Sequence, residues 1–365
     1  MTTKRPKKVF VTDCEGPISK NDNAYELTSL FIPNGDKFFS VVSKYDDALA
    51  DIVKKRDYKA GSTLKLILPF LKAHGVTNQR MTDFAAKDII LLPGARDTMQ
   101  FVKEIMPSFI VSTSYEQYIS ALCKAIDFPL ENTYSTRVDI DKHEISNEEK
   151  RTLRQLTKEI AAMHGFEIPK NANSIEHLSS YGQTTIKRLD EIFWNKLPKM
   201  PIGKMFDEVN PVGGEEKAKA TNAIVAETGS DVSSVMYVGD SITDLECFRY
   251  VRNGDGLTIS FNGNEYAVRE AEIAVMSENT TATSILADVF AKHGKEKVLQ
   301  LAQEWSLSTL KTFEVNPTLV INVQKLYPHK LPRVEAITKD NMSSLAEESL
   351  VFRKCVRGEA IASLG

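Results

Sequence analysis

Apolar positions in this chain gather in short, nearly continuous runs. "KVFVTD", "SFIVSTS", "SSVMYVGDS", "GLTISFNGN" and "AEIAVMS" are the clearest of them. A strand with one solvated face alternates apolar and polar residues, whereas a strand covered on both faces does not. These runs therefore predict central strands of a parallel sheet. The segments between them carry helical periodicity, and the alternation predicts a doubly wound α/β fold. The runs end in small, hydroxylated or acidic residues: Asp13, Ser112 to Ser114, Gly239 with Asp240, and Asn262. In such sheets ligands collect at the carboxyl ends of the strands.

Three stretches depart from this rhythm. Residues 19–88 read as several helices, one with Ser62 as N-cap and Gly75 as its stop. Residues 141–203 read as helical and polar, closed by Pro198 and Pro201. Beyond about residue 293 the pattern is helical again, and "DNMSSLAEESLVFRKCV" predicts an amphipathic helix capped near Asp340 or Asn341. The expected division is a core of 1–18, 89–140 and 204–292, a helical segment 19–88, an insert 141–203 and an extension 293–365.

Composition narrows the function classes. A chain of 365 residues exceeds one simple core, and 42% hydrophobic with 26% charged residues is ordinary for a soluble globular protein. A net charge of −3 argues against a broad nucleic-acid footprint. No apolar run is long enough to span a bilayer, and the basic start "MTTKRPKK" precedes a run too short for a signal peptide, so a cytoplasmic protein is expected. Four cysteines without a C-x-x-C pair and six scattered histidines signal neither zinc nor a redox dithiol. Carboxylates remain as ligands for a hard cation.

The strand ends supply the chemistry. In chain order come Asp13-Cys14-Glu15-Gly16, Ser112 with Thr113, Lys217 in "GGEEKAKAT", and "GDSITD" with Asp240 and Asp244. Singly, each has a plain explanation: a solvated loop start, a hydroxyl at a strand end, a solvated helix lysine. Together, in this order, they resemble the haloacid dehalogenase (HAD) superfamily, in its phosphoserine phosphatase-like branch. That family's Asp-x-Asp-Gly strand end, Ser or Thr, Lys and Gly-Asp-x-x-x-Asp are matched here by "DCEG", "FIVS", Lys217 and "GDSITD". The layout also resembles an archaeal group labelled as subunit R of an energy-converting hydrogenase.

The resemblance implies a HAD-like core with 19–88 as a helical cap, and a Mg²⁺-dependent phosphatase acting on a small phosphorylated metabolite. Asp13 would be the nucleophile, forming an aspartyl phosphate without needing a base. Asp13, the Glu15 carbonyl and Asp240 would hold Mg²⁺, with Asp244 behind them holding Lys217 or a metal-bound water. Lys217, Ser112 and the Thr113 amide would meet the phosphoryl oxygens. Glu15 departs from the family's usual Asp by one methylene; it would protonate the leaving oxygen and later activate water. Its longer reach leaves a phosphotransferase with the same intermediate as an alternative. A catalytically idle subunit of a larger complex is the rival from another class. Lys20, Asn21 and Asn23 are candidate cap contacts and Arg137 a candidate anion contact, each also readable as a hinge or solvated residue. The insert and the C-terminal tail leave room for a protein partner; no nucleic acid or membrane is expected.

Overall fold

The computed structural model describes residues 7–56, 58–169 and 172–364, so most of the basic start lies outside them. The centre is a seven-stranded sheet. Its strands are β1 (Val9–Thr12), β2 (Ser108–Tyr115), β3 (Thr133–Thr136), β4 (Val235–Gly239), β5 (Leu257–Phe261), β6 (Ile273–Met276) and β7 (Arg333–Ala336). They lie in the order β3-β2-β1-β4-β5-β6-β7, all parallel except β7, which runs antiparallel to β6. Every residue of β1, β4, β5 and β6 is buried, which explains their unbroken apolar runs.

One sheet face packs Phe10, Ile110, Met236 and Ile259 against helices Ala95–Ile105, Glu116–Ile126 and Thr281–His293. The other packs Val9, Val11, Phe109 and Tyr237 against helices Glu215–Thr228 and Leu245–Asn253. The doubly wound α/β class is thus observed. The order reverses at β1, which has β2 on one side and β4 on the other. Such a switch point opens a crevice at the strand ends. Register sharpens it: Thr12 pairs with both Ile110 and Val238. Asp13 is one residue past that level, and Ser112 and Asp240 are each two past it.

The segments 19–88 and 141–203 contribute to a single second core. Phe38, Val42, Tyr45, Ile67 and Phe70 pack with Leu153, Leu156, Ile160, Leu189 and Phe193. The Tyr45 hydroxyl donates to Asp190 at 2.5 Å and accepts from the Trp194 indole at 2.8 Å, crossing between the two segments. Helix Asn147–Ala161 starts with a reciprocal Ser146–Glu149 capping box.

Some local expectations shift. Ser62 does precede helix Thr63–Ala73, but its hydroxyl donates to the Lys59 carbonyl and caps no helical N–H. Gly75 ends that helix with φ of 83°. Asn341 precedes helix Met342–Arg357, but its side-chain oxygen accepts from Thr338 and not from the helix. The extension is not wholly helical, because β7 lies within it. A four-residue edge strand with one buried position offers too little alternation to be read from sequence. The C-terminal helix packs Leu345 on Val268, Ala274 and Met276, and the Ser349 hydroxyl bonds the Gly263 carbonyl at 2.6 Å. Among the described residues no helix is long and apolar enough to cross a membrane.

Candidate active site

Asp13 leaves β1 still tied to the sheet, its N–H bonded to the Val238 carbonyl at 2.8 Å. The Cys14 N–H donates to Asp13 Oδ1 at 2.6 Å. The turn that follows requires Gly16, with φ of 105°; a Cβ there would sit 2.1 Å from Asp240 Oδ2. The glycine therefore lets the β1 turn lie directly against the carboxylate at the end of β4. Glu15 is placed by the same turn, and its Oε1 accepts the Asn23 N–H at 2.6 Å.

Lys217 enters from the first turn of helix Glu215–Thr228 and is completely buried. Its Nζ lies 2.5 Å from Asp13 Oδ2 and 2.7 Å from Asp244 Oδ1. Burial alone would lower its pKa, but the two carboxylates outweigh that and hold the ammonium above its ordinary value. Asp244 also accepts the Tyr237 hydroxyl at 2.6 Å and the N–H groups of Asp240 and Ser241 at 3.0 Å each. Both of its oxygens are thus engaged, which makes it a holder of Lys217.

Asp240 is met from a distant part of the chain. Arg353 and Arg357, four apart on the C-terminal helix, both reach its Oδ2, Arg357 at 3.1 Å. Arg357 also donates to the carbonyls of Lys20, at 3.0 Å, and Asn21, fastening the helix to the segment after Asp13. Neither arginine was among the residues expected from sequence. Their i, i+4 spacing in "FRKCVR" marks one helix face, but nothing in it names the partner.

The cavity at this site is small, about 100 Å³. Strand-end residues Asp13, Glu15, Ser112, Thr113 and Asp240 line one side, and Phe39, Ser43, Asp46, Asp47, Gly61 and Thr63 the other. Helix Gly35–Asp47 therefore roofs the strand ends. Asp46 braces that roof by accepting from the Tyr58 hydroxyl and from Gly61 and Thr63. The Ser112 hydroxyl accepts the Ser114 N–H at 3.2 Å, and the Thr113 hydroxyl is used on the Val212 carbonyl. The Asn21 side chain bonds Glu26, the Asp88 carbonyl, Ile90 and Tyr118. Lys20 meets the site through its carbonyl. Arg137 lines a separate surface groove with Glu116 and Tyr134.

The pocket is rich in negative charge. Among the described residues, Asp13, Glu15, Asp22, Asp240 and Asp244 are met by the cations Lys217, Arg353 and Arg357. Burial pushes Asp13 up to about 7 despite the pull of Lys217, and pushes Glu15 up to about 8 with Asp22 adding to it. Carboxylate oxygens of Asp13, Asp240 and Asp244 lie within 4.8 Å of one another. Asp244 accepts from four donors, Asp13 from the Cys14 N–H and Lys217, and Asp240 from Arg353 and Arg357 on one oxygen, so a cation held by Asp13 and Asp240 would share them with those donors. Hard oxygen donors around a net negative centre fit a divalent ion such as Mg²⁺.

Neither a family model nor a curated protein matches the chain. Among solved structures, that of gene product AF1437 from Archaeoglobus fulgidus is similar along nearly the whole length. Its TM-score is 0.79 at 28% identity, covering 98% of this chain and 99% of that one. The likeness thus includes the insert and the C-terminal extension as well as the sheet. A substrate-bound phosphoserine phosphatase complex gives a TM-score of 0.43 at 13% identity, covering 76% of this chain and 96% of that one. A phospho-aspartyl intermediate analogue of phosphoserine phosphatase gives 0.43 and 13%, covering 75% and 96%. Likeness that remote carries no argument about chemistry, so the functional reading rests on the site.

Proposed function

We propose that the chain is a phosphomonoester hydrolase of the HAD superfamily, near its phosphoserine phosphatase-like branch, acting through an aspartyl phosphate. The observation that carries this reading is the buried Asp13–Lys217–Asp244 arrangement at the switch point, with the Glu15 carboxyl two residues beyond Asp13. A bare structural ion pair has no need of a second acid at the same turn.

Each side chain has a task. An Asp13 oxygen attacks phosphorus, and the bond from phosphorus to the ester oxygen breaks. Lys217 keeps Asp13 oriented and spreads positive charge towards the transferring oxygens. Glu15, whose burial favours the protonated acid, gives its proton to the departing alcohol oxygen. It then takes a proton from the water that cleaves the aspartyl phosphate, which frees phosphate and restores Asp13. Ser112 stands where its hydroxyl can meet a phosphoryl oxygen. A divalent cation held by Asp13, Asp240 and the Glu15 carbonyl would neutralise charge between carboxylate and phosphate. The roof from helix Gly35–Asp47 excludes water and contacts the alcohol portion.

The test is a panel of small phosphate esters with Mg²⁺, with and without added acceptor alcohols, for parent and Asp13→Asn. Free phosphate from the parent alone supports the hydrolase, and a new ester rising with acceptor supports transfer. If neither forms on any ester, the reading fails and the interaction-subunit alternative stands.

A further inference from the structure

Arg353 is buried in the wall of the site cavity, yet one edge of its guanidinium has nothing to bind. Its Nη1 is committed to Asp240 Oδ2 and faces the carbonyls of Asp240 at 3.4 Å and Asn262 at 3.3 Å. Its Nε is buried without a hydrogen-bond partner. Among the described residues no hydrogen bond joins its Nη2. Arg357 differs, since its Nε, Nη1 and Nη2 are all used on Asp240 and the carbonyls of Lys20 and Asn21.

The Nε and Nη2 hydrogens of arginine form a planar fork matched to two oxygens of a carboxylate or phosphate. Buried N–H groups left without partners are rare. We propose that Arg353 is an oxyanion-binding residue of this site, its Nε/Nη2 edge taking an oxygen pair of the substrate. The inference rests on the phosphohydrolase reading for the nature of that substrate. Charge supports it: the cavity wall carries Asp13, Glu15, Asp22, Asp46, Asp47 and Asp240 against Arg353 and Arg357, so an entering phosphate dianion needs those cations. Two sources share the chemistry, the phosphoryl group itself or a second anionic group on the alcohol.

Calorimetric binding of phosphoglycolate and of inorganic phosphate, with Mg²⁺, tests this on the full chain carrying Arg353→Gln or Arg353→Lys. Arg353→Gln is expected to weaken phosphoglycolate binding by about 10-fold or more. Arg353→Lys should recover part of the loss, because it restores charge without the fork. If inorganic phosphate weakens equally, the fork holds the phosphoryl group; if only phosphoglycolate weakens, it holds the second anion. Either supports the proposal. Unchanged or tighter binding of both in Arg353→Gln overturns it and leaves Arg353 as a counter-ion of Asp240. Failure of the parent to bind either ligand overturns it too. Because a glutamine leaves Asp240 short of a partner and the variant can fail to fold, a parent crystal soaked in phosphoglycolate gives an independent reading. An anionic group within hydrogen-bond reach of Arg353 Nε is expected; both groups bound elsewhere contradict the proposal. Binding is read without turnover, so a parent that binds through Arg353 but hydrolyses nothing contradicts the hydrolase reading alone.

Discussion

The two aspartates of "GDSITD" lie four residues apart at the end of β4 and live in different chemical worlds. Asp244 is closed: Lys217, the Tyr237 hydroxyl and two backbone N–H groups occupy both its oxygens, all from the core. Asp240 is open by comparison. Its side chain meets the β1 turn through Gly16 and two arginines on one oxygen, drawn from a helix more than a hundred residues later. A carboxylate saturated on both oxygens orients a neighbour, whereas the two arginines of Asp240 meet one oxygen of its two.

Breaking the closed side should cost most. Lys217→Met leaves Asp13 and Asp244 buried without their cation, and removing one partner of such a set is worth about 3–5 kcal/mol. Urea denaturation should show that loss, with turnover abolished; a variant as stable as the parent would mean that the buried charges are neutralised otherwise. Glu15→Gln should slow aspartyl-phosphate formation about 10²–10⁴-fold, as loss of general acid help does, while the fold melts as before. Rapid-quench kinetics on any accepted ester decide this, and an unchanged rate would remove Glu15 from the chemistry.

The two aspartates can then be set against each other. Asp240→Asn should weaken Mg²⁺ binding in a titration more than Asp244→Asn does. Asp244→Asn, acting through Lys217, should cost about 10–100-fold in turnover. Equal Mg²⁺ affinities in the two variants would erase the distinction drawn between them.

The smallest effect concerns the roof. Burial pushes Asp47 up to about 7 from 3.8, with Asp46 and Asp51 working against the pull of Lys44. The folded protein therefore favours the protonated acid. That contribution is fullest below about pH 4 and is lost as pH rises towards 7. Asp47→Asn should raise the unfolding free energy at pH 8 by an amount on the order of 1–2 kcal/mol once the buried amide is set against it, read as a higher Tm. The gain should shrink as pH falls to 4, and a gain that ignores pH would contradict the assignment.

How much of this was readable in the chain follows from distance along it. Strands β1, β2, β4, β5 and β6 were readable because both of their faces are buried, which writes each as a nearly unbroken apolar run; β3, with one buried position in four, was not read. Asp13, Ser112 and Asp240 converge because parallel strands present their carboxyl ends on one side, and the first turn of helix Glu215–Thr228 brings Lys217 to them. The segments 19–88 and 141–203 each showed helices, but an amphipathic face does not name the face it will meet. That Tyr45 and Phe70 would pack with Phe193 was therefore not readable. The strand β7 was too short to announce itself. Arg353 and Arg357 were the largest omission. Their spacing put them on one helix face, yet only the docking of that helix through Leu345 and Ser349 brings them to Asp240.

The central claim is that Asp13 carries the phosphoryl group. Parent protein with Mg²⁺ and a turned-over phosphate ester, quenched in acid and digested, allows the phosphorylated peptide to be located by mass spectrometry. The account predicts one phosphoryl group on the peptide containing Asp13, formed during turnover and absent from Asp13→Asn. A phosphoryl group on another residue, or steady hydrolysis with none on Asp13, would contradict it.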